Sequence, residues 1–276
     1  MSEQPAHLGR YSLQGLALAE AALFQAWDGL EKFHEDLVVV GGLAVYHHTR
    51  NTENQVFPIT ATLDVDMGIS LGTDAGLAGT VHFDLLMLGY QSDDKGRLYQ
   101  DSPHGKIYLD FLTEHPPSTT GTRNVSDVAA SICPGINRAL ATREKIAISG
   151  KDRFGDKRTF LIPICGIGAL LVLKLNAFAN RQNEKKAKDA FDILVAVSAC
   201  SQGAGAAVEA FHAERRAENS AFQVAVETLA KSFQELDSEG PILAHQFCYG
   251  EVASDSNDFR LRTNLVSIAK ELLNFK

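Results

Sequence analysis

Apolar residues recur at two different spacings along this chain. In residues 12–35 the spacing is three or four positions, which predicts a helix that covers a sheet. The short runs Leu37 to Val40 and Lys106 to Leu112 are continuous or alternating in apolar residues, and we expect buried strands there. Two kinds of element in the first half of the chain favour an α+β architecture.

In the first half of the chain, residues 74–89 are interpreted as a further helix, and residues 90–104 as a turn-rich segment. The second half of the chain is predicted to be mostly helical. A hairpin is predicted from Arg143 to Ser149 and from Lys157 to Ile164. Beyond Gly166, helical spacing recurs over 167–181, 184–200, 204–216, 219–236 and 258–274.

A segment rich in Pro, Thr and Ser over 114–126 is the best candidate for a domain boundary. The predicted domains are therefore residues 1–125, which hold the N-terminal helix and the strands, and residues 126–276, which hold the hairpin and the helices. The expected fold is a mixed sheet flanked by helices, followed by a mostly helical C-terminal part.

Composition places the chain among ordinary globular proteins. Of its 276 residues 45% are hydrophobic and 22% are charged, and the net charge of −8 makes general nucleic-acid binding depend on a local basic patch. The four cysteines form no C-x-x-C pair, which favours a reducing setting. With no apolar run long enough for a bilayer and no signal-peptide pattern, we expect a cytoplasmic protein without a membrane partner.

The run Val38 to Val40 is followed by Gly41-Gly42 and then by a predicted helix from Leu43 to about His48. A strand, a glycine pair and a helix present backbone N–H groups and a helix N-terminus to an anion. Gly41 and Gly42 are therefore candidate phosphate-binding residues, although a glycine pair alone is typical of any turn between a strand and a helix.

Asp64 and Asp66 are separated by one apolar residue in a segment predicted to be a buried strand that ends near Leu71-Gly72. Side chains alternate along a strand, so both carboxylates are expected on one face, about 6–7 Å apart. Such a pair is costly to bury unless a cation lies between the two groups. Mg²⁺ is commonly held by one or two carboxylates and substrate phosphates, so phosphoryl or nucleotidyl transfer is the first hypothesis.

The order of these motifs resembles the polymerase-β-type nucleotidyltransferase fold. Its hallmark is a glycine turn, here Gly41-Gly42, then a D-x-D, here Asp64 and Asp66, and then a third carboxylate on a later strand, here Asp110. The resemblance implies that residues 1–125 are the nucleotidyltransferase core and that residues 126–276 complete its cleft.

The second half of the chain resembles one branch of that fold. Lys174 is followed by Arg181 and then by Lys188-Asp189 and Asp192, a pattern similar to that of the AbiEii family of nucleotidyltransferase toxins, which includes the MenT-type toxins. The chain departs from the family at Leu43, where a Ser or Thr commonly follows the second glycine. The resemblance extends from about Val38 to Leu194.

The resemblance implies an enzyme that moves an NMP from an NTP to an acceptor hydroxyl. Such chemistry uses a two-metal site, with two Mg²⁺ ions or Mn²⁺ in their place. Asp64, Asp66 and Asp110 would be catalytic metal ligands, and Asp110 could also take the acceptor proton. The implied nucleotide-binding residues are Gly41, Gly42, Lys174, Arg181, Lys188 and Asp189.

Three functions stay open at the level of sequence. In the first, the NTP-dependent enzyme is an AbiEii-like toxin with RNA as its acceptor, for example tRNA, and with an antitoxin protein as partner. In the second it modifies a small hydroxylated compound, as aminoglycoside nucleotidyltransferases do, and the net charge of −8 is compatible with a cationic substrate. In the third the chain is a non-catalytic nucleotide-binding protein of the same fold.

Overall fold

The computed structural model describes residues 8–52, 62–70, 81–102, 105–125, 127–151, 154–182, 185–250 and 255–275. The helices in these ranges are α1 (Leu13–Gly29), α2 (Gly41–Thr49), α3 (Val81–Met87), α4 (Ile136–Ala141), α5 (Ile167–Asn180), α6 (Lys185–Ser198), α7 (Ala204–Arg216), α8 (Phe222–Ser232), α9 (Glu239–Tyr249) and α10 (Asp255–Leu273). The strands are β1 (Leu37–Val40), β2 (Val65–Ile69), β3 (Gln91–Ser92), β4 (Leu98–Ser102), β5 (Gly105–Thr113), β6 (Thr122–Val125), β7 (Val128–Ile132), β8 (Glu144–Lys151) and β9 (Lys157–Ile164). Short 3-10 helices cover Leu8–Arg10 and Glu31–Asp36.

Contacts between residues divide the chain into two compact units. The sheet unit comprises residues 13–44 and 61–166, and the helical unit comprises residues 1–12, 45–60 and 167–276. The boundary predicted at 125/126 lies inside the sheet unit, and the break observed by contacts comes after β9, between Gly166 and Ile167. The coarse prediction of an α+β protein with a mixed sheet flanked by helices is confirmed.

The sheet unit is built on one mixed sheet whose strand order is β3-β4-β5-β2-β1-β9-β8, with β6 and β7 branching from β5. Strand β1 is antiparallel to β2 and parallel to β9, while β2 is parallel to β5. All four residues of β1 are buried, as expected for a central strand covered on both faces.

Two helices of the sheet unit pack on the central strands. Helix α1 packs against β2, β5 and β8, and α4 packs against β1, β2 and β5. Helix α4 lies over Gly68 of β2, where an added Cβ would come within 3.2 Å of Ile136 Cγ2. Asp66 is two residues before Gly68, so its side chain projects from the same face of the sheet. Helix α4 covers that face at Gly68, further along β2. The half-buried Asp66 therefore lies beyond the covered part of that face.

The helical unit is organised around α5. Nearly all residues of α5 are buried, and the helix packs against α6, α7 and α8. A helix that is apolar on all sides is expected at the centre of a bundle. Helix α6 packs in turn against α9, and α9 against α10. In the ranges that the structure covers, no helix is both long and apolar enough to cross a membrane.

Several predicted elements are observed close to their expected bounds. These are β1, the β8–β9 hairpin, and the helices α5, α6, α7, α8 and α10. The strand predicted over 106–112 is β5, and the predicted 74–89 helix is α3 in its described part, since residues 71–80 lie outside the described ranges. The predicted end of β2 near Leu71-Gly72 also lies outside them.

The single helix predicted over 12–35 was wrong, because α1 ends at Gly29. The Leu30 N–H donates to the carbonyls of both Ala26 and Trp27, and the Phe33 N–H donates to Leu30, which is the tighter 3-10 pattern. The apolar spacing continues through this change, so periodicity alone could not show it.

The turn-rich interpretation of residues 90–104 was incomplete: a turn is present at Asp93–Gly96, but it joins β3 and β4 in a hairpin, and β4 pairs with β5. The segment 114–126 likewise contains β6, whose residues are mostly exposed and pair with β7. These strands pair with their neighbours in the sequence, β4 with β3 and β5, and β6 with β7, but they carry too many polar residues to show a clear alternation of apolar positions. Strand β7 and helices α4 and α9 were not predicted.

Candidate functional site

The glycine turn lies directly against one of the predicted catalytic carboxylates. Helix α2 begins at Gly41 itself, which has φ +65, and β1 pairs with β2 so that Val40 lies opposite Asp66. A Cβ at Gly41 would collide with the Asp66 carboxylate. Both the left-handed backbone and the close approach therefore require glycine at this position. A carboxylate at the N-terminus of α2 is also favourable for the helix dipole.

The sheet brings two of the three predicted metal ligands side by side. Strands β2 and β5 are parallel, with Asp66 opposite Asp110, so their Cα atoms are about 4.8 Å apart and both side chains project from one face. Asp64 lies one residue before β2, in a bend where the Thr62 hydroxyl donates to the Asp64 carbonyl at 3.2 Å. The three carboxylates are all half-buried.

The structure adds Arg97 to this group, a residue that the sequence did not single out. Its Nε and Nη2 donate to Oδ1 and Oδ2 of Asp110 at 2.8 and 2.6 Å. The hydrogen bonds to Asp110 raise the pKa of Arg97 further, burial opposes this shift, and the charges of Asp110 and Asp64 reinforce it. The guanidinium therefore lies within the electrostatic reach of two of the three carboxylates.

Arg97 was missed because it belongs to the hairpin that the sequence did not reveal. Leu98 of β4 pairs with Leu109 of β5, so the residue before β4 stands opposite Asp110. The signal was present in the pattern Arg97-x-Tyr99, which alternates in the same way as Tyr108-x-Asp110 on β5. It becomes readable only when the two segments are known to pair.

The fit of a metal ion differs between the carboxylates. Among the described residues, no group of three or more His, Cys, Asp or Glu side chains is placed to hold a metal ion. Both oxygens of Asp110 accept hydrogen bonds from Arg97, so Asp110 is committed to a guanidinium. Asp64 and Asp66 supply the carboxylates that an Mg²⁺ ion shared with substrate phosphates would need.

The remaining predicted site residues form a second group, which we call the ion cluster: Lys174, Arg181, Lys188, Asp189 and Asp192. Lys174 on α5 donates to Asp189 at 3.0 Å and to Asp192 at 2.6 Å, both on α6. Lys188 donates to the two oxygens of Asp192 at 3.0 and 2.7 Å. Arg181 Nη1 donates to Asp189 at 2.5 Å.

Four members of the ion cluster are buried, and Arg181 is the partly exposed one, with 39% of its side chain accessible. Burial alone would lower the pKa of Lys174, but the charges of Asp192 and Asp189 raise it above its ordinary value. For Lys188, burial dominates and lowers the pKa despite Asp192. The cluster contains three basic side chains and two carboxylates, and Arg181 is its partly exposed member.

No family model matches this chain, and no curated protein is significantly similar to it. The resemblance to AbiEii nucleotidyltransferases is therefore a resemblance of sequence motifs.

Proposed function

We propose that this chain is an Mg²⁺-dependent nucleotidyltransferase of the polymerase-β type, which transfers an NMP from an NTP to an acceptor hydroxyl. The observation that supports this proposal most is the meeting of Gly41, Asp66 and Asp110 at one point of the sheet. The three residues lie far apart in the sequence, and each is the residue type that the fold would need at that point.

In this proposal the described residues have separate roles in binding the metal ion, the phosphates and the acceptor. Asp64 and Asp66 would hold an Mg²⁺ ion, which supplies positive charge to the triphosphate when bound. The backbone N–H groups of Gly41 and Gly42 would bind phosphate oxygens at the N-terminus of α2. Asp110, held by Arg97, would orient the acceptor hydroxyl.

The family resemblance assigns the residues of the ion cluster to nucleotide binding, and Arg181 would be the one that contacts phosphate. Arg181 is partly exposed, and a guanidinium binds phosphate oxygens in a bidentate way. Lys174 and Lys188 are hydrogen-bonded to buried carboxylates, so their contribution in this arrangement would be the positive field they add behind Arg181. Asp189 would hold Arg181 in place.

The acceptor we propose is RNA, as the AbiEii-like motifs imply, with a tRNA 3′ end as one candidate and an antitoxin as the expected partner. The net charge of −8 favours a second candidate, a small cationic compound of the aminoglycoside kind. A non-catalytic nucleotide-binding protein would show no transfer to either class.

The proposal is tested by incubating the purified protein and Mg²⁺ with each of the four NTPs labelled at the α-phosphate, and with either total RNA or a panel of aminoglycosides. We expect labelled RNA, and a loss of label of at least 100-fold with Asp66→Asn, because a neutral amide is a much poorer Mg²⁺ ligand.

The matched control is Asp84→Asn, which changes a carboxylate of the sheet unit that pairs with Lys32. It should keep the wild-type rate. Label on an aminoglycoside alone would select the second candidate, whereas no label with either class would refute the enzymatic proposal.

A further inference from the structure

Arg97 holds Asp110 in a way that bears on how many metal ions the site takes. Two nitrogens of one guanidinium meet the two oxygens of one carboxylate, at 2.8 and 2.6 Å, which is the bidentate geometry of a strong pair. A carboxylate in this arrangement has both of its oxygens satisfied by a cation. A metal ion at Asp110 would have to displace that cation.

Three further contacts fix Arg97 where it is. Its backbone N–H donates to Asp93 Oδ1 at 2.9 Å, and its carbonyl accepts from the Asp93 N–H at 3.0 Å. Both polar groups of the Arg97 backbone are therefore hydrogen-bonded to Asp93, across the turn before β4. Its guanidinium lies over the ring of Tyr108, with 3.9 Å from Cζ to the ring centroid. A cation packed on a ring and closed into a turn is not a loosely held surface side chain.

The position of this charge matches that of a second cation in the proposed site. Arg97 stands opposite Asp110 in the β4–β5 register, and Asp110 stands opposite Asp66 in the β2–β5 register. The guanidinium thus approaches Asp110 from the β4 side of β5, whereas Asp66 lies on the β2 side, and it neutralises the carboxylate to which a two-metal scheme would assign the second ion. A divalent ion at the same carboxylate would meet a fixed positive charge at close range.

We propose that Arg97 takes the place of the second metal ion, so that the site binds one divalent cation at Asp64 and Asp66 and carries a permanent guanidinium at Asp110. The proposal rests on the nucleotidyltransferase function proposed above and replaces the two ions that the family resemblance implies. Arg97 is then a positioning residue, which orients Asp110 toward the acceptor.

The guanidinium also has room to contact a substrate. Only Nε and Nη2 donate to Asp110, and within the described part of the chain Nη1 makes no hydrogen bond, while 40% of the side chain is exposed. Nη1 can therefore donate to an oxygen of the acceptor or of the α-phosphate. A second metal ion would supply charge at this point but no hydrogen-bond donor.

The test is to count the Mn²⁺ ions that the full chain binds, by electron paramagnetic resonance during titration with Mn²⁺ alone. We expect one ion per chain for the wild type and two for Arg97→Gln, because the amide leaves Asp110 without its cation. The double variant Arg97→Gln with Asp110→Asn should return to one ion. Arg158→Gln removes another arginine–carboxylate pair of the sheet unit, to Asp28 at 2.5 Å, and should leave the count at one.

The outcomes separate this inference from the function on which it rests. Two ions in the wild type, or one ion in a folded Arg97→Gln variant, would overturn the role of Arg97 and leave the function standing. No bound Mn²⁺ in the wild type, or binding that survives Asp66→Asn, would instead overturn the proposed metal site. If Arg97→Gln does not fold, as judged by circular dichroism, the wild-type count decides alone.

Discussion

At the scale of single residues, Gly41 is the position where backbone and chemistry constrain each other most. Its positive φ and its contact with the Asp66 carboxylate are independent reasons for glycine. Another glycine, Gly89, has φ +88 but nothing within 4 Å of the position that a Cβ would take. Gly41 and Gly89 therefore share the left-handed backbone, but of the two it is Gly41 that has a side chain next to the position of an added Cβ.

Gly41→Ala should lower both activity and stability, while Gly89→Ala should lower stability only. The left-handed backbone costs about 1–2 kcal/mol for alanine at either position. At Gly41 the methyl group must also move Asp66, so we expect transfer activity to fall at least tenfold beyond any loss explained by unfolding. Urea denaturation and the transfer assay measure the two effects. Equal activity in the two variants would show that the Gly41–Asp66 contact is unimportant.

His47 provides a residue-scale prediction about pH. It is buried in α2, and burial first, then the charges of Arg50 and His48, lower its pKa from 6.5 to about 3. The unfolded chain therefore binds a proton at His47 below pH 6.5 while the folded chain does not, so stability falls as the pH drops through this range. Between pH 7 and pH 5 the expected loss is about 2 kcal/mol.

His47→Phe should remove this part of the pH dependence. The measurement is urea denaturation of both proteins at pH 7 and pH 5, and the wild type should lose about 2 kcal/mol more than the variant. An unchanged pH dependence in His47→Phe would mean that His47 is protonated in the folded protein.

At the scale of elements, the sequence revealed those whose pattern is complete within one segment. Helix α5 is mostly apolar, with Lys174 and Asn176 among its buried residues, and β8 and β9 are neighbours in the sequence joined by a polar connection, so both were found. Strand β4 was missed because its partner β5 supplies the pairing, and the polar residues around it are typical of a turn. The prediction of the candidate site was incomplete for the same reason. Gly41, Asp66 and Asp110 could be named from the sequence, whereas the position of Arg97 follows from the β4–β5 register.

The ion cluster ties α5 to α6 and gives an element-scale prediction. Asp192→Ala leaves Lys174 and Lys188 buried without this carboxylate, so the protein should lose about 3–5 kcal/mol of stability. Glu239→Gln breaks the more exposed pair with Lys186 at 2.6 Å and should cost less than about 1 kcal/mol. Chemical denaturation compares the two, and a loss of less than about 1 kcal/mol in Asp192→Ala would show that the cluster does not stabilise the helical unit.

At the scale of the whole molecule, the residues that the sequence predicted for the site fall in both the sheet unit and the helical unit. The sheet unit carries the glycine turn and the carboxylates, and the helical unit carries the ion cluster. The sequence predicted both sets of residues but placed the boundary at 125/126, because a Pro- and Thr-rich segment resembles a linker. In the folded sheet unit this segment leads into β6 and β7, and the parallel pairing of β7 with β5 could not be inferred locally.

Nucleotidyl transfer separates the α-phosphate of an NTP from its β- and γ-phosphates, so the fate of two labels distinguishes it from other reactions of an NTP. With the preferred NTP, Mg²⁺ and RNA, label at the α-phosphate should appear in the RNA while label at the γ-phosphate is released as pyrophosphate, one per nucleotide transferred. Asp66→Asn should abolish both. Transfer of the γ-label to the acceptor, or no transfer of either label by the wild type, would contradict the account.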